Sequence, residues 1–115
     1  MIMGKCYRKE IVKLISVSDF EGNLIDDWRG EFVNTVGLLG IFKSERKAPG
    51  KQYLYYFPNE PEEVMQRYFH TSVGILTEED NMICLRSNHI YKFEVGNYIS
   101  DEELIVLLLN TGLCV

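Results

Sequence analysis

Apolar and polar residues in this chain alternate mostly in short beats of two, the signature of strands with one wet face. The clearest stretch is Ser72 to Val95, where Val73 to Thr77, Met82 to Arg86 and His89 to Val95 are separated by Glu-Glu-Asp-Asn and Ser-Asn and closed by Gly96-Asn97. These punctuated runs predict a three-stranded meander. In the last of them Tyr91, Phe93 and Val95 share one face, while Lys92 and Glu94 share the other. The same beat in Lys51 to Phe57 sets Tyr53, Tyr55 and Phe57 against Gln52, Leu54 and Tyr56, predicting another strand.

Upstream, Phe32 to Lys43 is rich in Val, Leu, Ile and Phe but interrupted by Gly37 and Gly40. Glycine inside a strand usually marks a bulge or bend, so the sheet is expected to curl there. Ser44 to Gly50 joins this run to the next as an exposed hairpin whose Pro49-Gly50 pair supplies the turn. The run Glu10 to Phe20 fits two periods: Ile11, Leu14 and Ile15 suit a helix, but β-branched Val12, Ile15 and Val17 followed by turn chemistry from Asp19 to Asn23 favour a strand.

Two segments carry helical signals. After Asn59 as a candidate N-cap, Pro61, Glu62 and Glu63 suit a first turn, and Val64, Met65, Tyr68 and Phe69 form an apolar stripe, predicting a helix to about His70. The second opens with Ser100 and Glu103 in capping-box spacing and is expected to end at Asn110 or Thr111, before Gly112. The expected fold is therefore a single α+β domain over residues 1–115: a curled, mostly antiparallel sheet of five or six strands with two helices, the second at the C-terminus.

Composition narrows the function classes. At 115 residues, 46% of them apolar and 25% charged, the chain can build one core of ordinary size. Its longest apolar run, Leu104 to Leu109, is far short of the ~20 residues of a membrane helix, and the N-terminus reaches charge at once, without a signal-like apolar stretch. A cytoplasmic location is the expectation. Cys6, Cys84 and Cys114 are odd in number and widely spaced, so they read as reduced thiols.

The net charge of -5 is uneven: residues 1–51 hold nine basic and seven acidic side chains (+2), and residues 52–115 hold three and ten (-7). Nucleic-acid binding is disfavoured, because backbone affinity rests on clustered cations. A local basic patch survives at the hairpin, where Lys43, Arg46, Lys47 and Lys51 adjoin Tyr53, Tyr55 and Tyr56. Cations beside aromatic faces can hold an anionic or nucleotide-like ligand, although a lysine-rich tip also serves to protect a sheet edge.

The helix after Ser100 is apolar nearly all the way round, and a helix lying on one sheet hides only one side. Leu104, Ile105, Leu107 and Leu108 are thus candidate oligomer-interface residues, with enclosure by the other helix as the competing reading. Trp28 is expected to cap the core where the chain leaves its first strand, or else to anchor a partner.

Covalent chemistry finds little support. A nucleophile–base pair would have to come from Cys6 or Cys84 with His70 or His89, of which Cys84 and His89 are close in sequence, yet neither cysteine sits in a nucleophile motif. Of the acidic groups Asp26-Asp27, Glu60 to Glu63, Glu78 to Asp80 and Asp101 to Glu103, two fall in expected helix first turns and one in a tight turn, and none has calcium-loop spacing. No catalytic, metal or cofactor site is expected. The leading expectation is a non-enzymatic binding or regulatory protein acting through protein–protein contacts as a homo-oligomer. The alternative is a small-molecule binder using the tyrosines and the basic hairpin.

Overall fold

A computed structural model describes residues 6–25, 27–44, 50–60 and 67–113. Seven strands form one antiparallel sheet: β1 (Cys6–Ser18), β2 (Val36–Ser44), β3 (Lys51–Pro58), β4 (Phe69–His70), β5 (Ile75–Glu79), β6 (Met82–Arg86) and β7 (Ile90–Val95). The order across the sheet is β4-β3-β2-β1-β7-β6-β5. One α-helix among the described residues, α1 (Asp101–Thr111), completes an α+β chain.

The organising element is β1, whose ambiguous sequence is resolved as a strand. Its first half, Cys6 to Lys13, pairs with β2, and its second half, Val12 to Ser18, pairs with β7. Two three-stranded wings thus hang from one long strand and fold toward each other. The register slips between Cys6 and Arg8 and again between Leu14 and Ser16, and extra residues of this kind bend and twist a strand. The expected bend at Gly37 and Gly40 is not where the irregularities fall: β2 runs in unbroken register with β3 from Gly37 to Ser44. Gly37 answers a different demand, since a Cβ there would stand 2.2 Å from the Phe57 carbonyl oxygen.

Inside the curl, Leu14, Leu39, Ile41, Leu54, Tyr56, Ile83, Leu85, Tyr91 and Phe93 are all fully buried. Rings from opposite wings touch, with Tyr56 5.6 Å from Phe93 and Phe69 5.7 Å from Tyr91 between centroids. The two wings meet at a bridge, where Gln52 of β3 and Gly74, just before β5, exchange backbone hydrogen bonds of 3.0 and 2.8 Å. A 3-10 turn, Trp28–Phe32, capped by Asp27, inserts Phe32 into this core. Across from β1, Arg8 forks onto Glu78 of β5, 2.6 Å for one of its bonds, and that hydrogen bond holds the Glu78 carboxyl below its usual range. Both side chains stay partly in solvent, so the pair adds little stability.

Two expectations need correction. Seven strands replace five or six, and the helix predicted to reach His70 does not do so. Residues 61–66 of that helix lie outside the described residues, Arg67 and Tyr68 are not helical, and Phe69 and His70 pair with Tyr56 and Tyr55 as β4. Phe69 is 1% exposed and wedged among Phe32, Tyr56 and Tyr91. Burying this ring outweighs the local helical stripe, because propensity differences of less than ~1 kcal/mol per residue are small beside the ~3–5 kcal/mol lost when a core aromatic is removed.

The helix predicted at Ser100 is present with its caps. Ser100 accepts from the Glu103 backbone, Glu103 accepts from the Ser100 backbone at 3.2 Å, and Gly112 ends the helix in the left-handed region at φ 69°. Asn59, read as an N-cap from sequence, donates its amide to Glu103 at 2.7 Å and so ties the end of β3 to the start of α1. The helix lies on the outer face of the sheet, forming a second apolar layer of Leu38, Phe42, Phe57, Ile99, Leu107 and Leu113. This layer explains why Gly37 to Phe42 is buried without alternation: both faces of β2 are covered.

Candidate binding surfaces

Strand pleating divides the tyrosines of β3. Tyr53 and Tyr55 join the outer apolar layer, whereas Leu54 and Tyr56 point into the interior. Tyr53 stacks on Phe42 at 5.1 Å. Tyr55 lies between Phe57, Tyr68 and His70, nearly parallel to each, at 6.2, 5.9 and 5.2 Å. Tyr68 is 49% exposed, so the stack reaches solvent. Burial raises the Tyr53 and Tyr55 phenols above their ordinary value, and at Tyr55 the neighbouring phenols add to this. Both therefore stay protonated at neutral pH. A wall of this kind can present a ring face to a planar ligand and a hydroxyl to its edge.

Lys43 and Lys51 are exposed at the hairpin end of this wall. The Lys43 ammonium sits 4.6 Å from the centre of the Tyr7 ring, a cation–π contact. Arg46 and Lys47 lie outside the described residues. Tyr56 is not part of the surface. It is fully buried, shares a 2.7 Å hydrogen bond with the Thr35 hydroxyl, and has its phenol pushed up to about 12, chiefly by burial with a smaller opposing effect of Thr35.

A folded-state value above the unfolded one, near 10, means that the neutral Tyr56 phenol supports the fold below pH 10. That contribution is lost as pH rises through about 12. It amounts to about 2–3 kcal/mol. Denaturation by urea at pH 9 and pH 12 should accordingly show a smaller alkaline loss in Tyr56→Phe than in the wild type. Equal losses would show that the phenol is not the group responsible.

The oligomer candidates also divide. Leu107 is 3% exposed in the outer layer, and Leu104 and Leu108 pack partly against it. Ile105 is 58% exposed, together with Val106 at 42% and Leu109 at 78%. The outward face of α1 thus comprises Ile105, Val106 and Leu109, two of them missed from sequence because six consecutive apolar residues contain no marker of which side docks. Tyr68 and His70 were missed for another reason: their helical reading hid the strand that stacks them on Tyr55.

Trp28 borders the core and stays half exposed. Its edge meets Phe32 at 6.1 Å and Phe69 at 6.2 Å, while 48% of it remains exposed beneath the Arg29 guanidinium. Cys84 lies opposite Lys92 and Thr77 in the sheet, and His89 has its ring against Tyr91. Cys6 and Cys84 are free thiols. Among the described residues no three metal-ligating side chains gather, and no helix is long and apolar enough to cross a membrane. Comparison with protein-family models, with curated proteins and with solved structures finds no match to this chain.

Proposed function

We propose that the protein is a non-enzymatic binding protein that works as a homo-oligomer, in the cytoplasm, through the outward face of α1. The observation behind this reading is the exposure of Ile105, Val106 and Leu109 on a helix whose opposite side is already occupied by the sheet. Water-facing apolar residues grouped on one helix favour association. The occupant is a second copy of the chain, docked antiparallel about a two-fold axis. The first turn of α1 carries Asp101, Glu102 and Glu103 and its last turn carries no cation, so antiparallel docking keeps the acidic turns of two copies at opposite ends.

Sedimentation at micromolar concentration is expected to give a species larger than the 13.4 kDa monomer. The double substitution Val106→Glu and Leu109→Glu should return it to monomer without loss of the fold. A wild-type monomer would defeat the proposal.

The Tyr55-centred stack favours a second reading, in which the outer wall with Lys43, Lys51 and the hairpin residues Arg46 and Lys47 holds a planar anion. Millimolar nucleotide should then raise the melting temperature of the wild type, and less so that of Tyr55→Ala. An unchanged melting temperature would remove this reading.

A further inference from the structure

Beside α1, on the side away from the tyrosine wall, a cavity of about 350 Å³ opens between the helix and the outer face of β1 and β7. Its walls are mostly aliphatic: Ile11, Leu38, Val95, Leu104 and Leu108. Lys9, Glu10, Gly96 and Asn97 complete the lining, and the Lys9 Nζ is shielded from solvent with no hydrogen-bond partner. The adjacent carboxylate, Glu10, accepts instead from Arg8 at 2.7 Å. An ammonium carries three donors, and long lysine stems normally deliver that head to water. A cation held out of water without an acceptor is costly, and a bound anion relieves that cost.

We propose that this cavity binds an aliphatic monocarboxylate, whose head draws the Lys9 Nζ out of its solvent-shielded position into an ion pair while the hydrocarbon tail lies along Ile11, Leu38, Val95, Leu104 and Leu108. Charge complementarity selects the head, and the apolar walls select the tail. A mainly apolar lining with a few polar groups is the ordinary composition of a ligand pocket, and about 350 Å³ is within the usual range; of its two charged residues, Glu10 is already paired with Arg8, which leaves Lys9 to meet the head. Taking the ~30 Å³ of a water molecule as the unit, the tail has room for on the order of ten methylene-sized groups. The site is independent of self-association, because Ile105, Val106 and Leu109 face away from the sheet that walls it.

Titration calorimetry with octanoate, octanol and acetate tests the assignment on the full chain. Octanoate should bind, while octanol, lacking the charge, and acetate, lacking the tail, should each bind at least tenfold more weakly. Lys9→Met keeps the aliphatic stem and removes the ammonium. It should weaken octanoate at least tenfold, leave octanol unchanged, and raise the melting temperature of the ligand-free protein. Leu108→Trp, which fills the cavity from the helix side, should abolish octanoate binding in a chain that still unfolds cooperatively. No octanoate binding, equal binding of octanoate and octanol, or an unaffected Lys9→Met would each overturn the proposal. Monomeric Val106→Glu/Leu109→Glu protein should bind octanoate as the wild type does, so failure of the oligomer reading and failure of this one are distinguishable.

Discussion

Gly37→Ala should destabilise the protein by about 3 kcal/mol or more, an effect at the upper end of what overpacking produces. The added methyl would stand 2.2 Å from the Phe57 carbonyl oxygen and 2.7 Å from the Pro58 Cα. Both obstacles are backbone, so no rotamer change relieves the clash, and β2 must separate from β3 at the start of their pairing. That pairing carries Leu38 opposite Phe57 and Leu39 opposite Tyr56, one pair for each apolar layer. Loosening it therefore weakens both layers together. Urea denaturation followed by circular dichroism measures the loss, and a cost below about 1 kcal/mol would mean that the strands shift without consequence.

The second large effect separates the two sides of α1 with one kind of substitution. Leu107→Ala removes a side chain that is 3% exposed among Phe42, Phe57 and Leu113, and such truncations cost about 2–5 kcal/mol. Leu109→Ala removes one that is 78% exposed and should change monomer stability by less than about 0.5 kcal/mol. The comparison belongs at protein concentrations low enough to dissociate oligomers, since association adds its own stabilisation. Similar costs at the two positions would contradict the docking of the helix. At micromolar concentration the ranking for self-association should favour Leu109 as the sensitive position.

How far these features were legible from the sequence depended on whether their causes were local. Met82–Arg86 runs over the span its turns predicted, because Asp80 and Asn81, both at positive φ, suit the tight two-residue turn that starts it. The helix after Ser100 was equally plain, its ends being set by Ser100, Glu103 and Gly112 within one turn of each boundary. Phe69 defeated the same reasoning. Its neighbours Tyr68 and Val64 spelled a helix, but its partners Phe32, Tyr56 and Tyr91 come from 13 to 37 residues away in sequence. The candidate sites followed the same division. The tyrosine alternation of β3 showed that Tyr56 and Tyr53 face opposite ways, yet only the curl of the sheet decided which way was inside.

Strand alternation, turn chemistry and capping, all carried by residues within a few positions of each other, were determined by the sequence itself. So was the excess of apolar surface on the last helix, since six apolar residues in succession cannot all face one sheet. The tertiary structure decided what depends on distant segments meeting: the pairing of each half of β1 with a different wing, the strand at Phe69 and His70, the side of α1 left in water, and the enclosure of the Lys9 ammonium. A side chain's burial is set by whatever the fold brings over it, and the cavity that Lys9 lines is walled in part by a helix that begins more than 90 residues later.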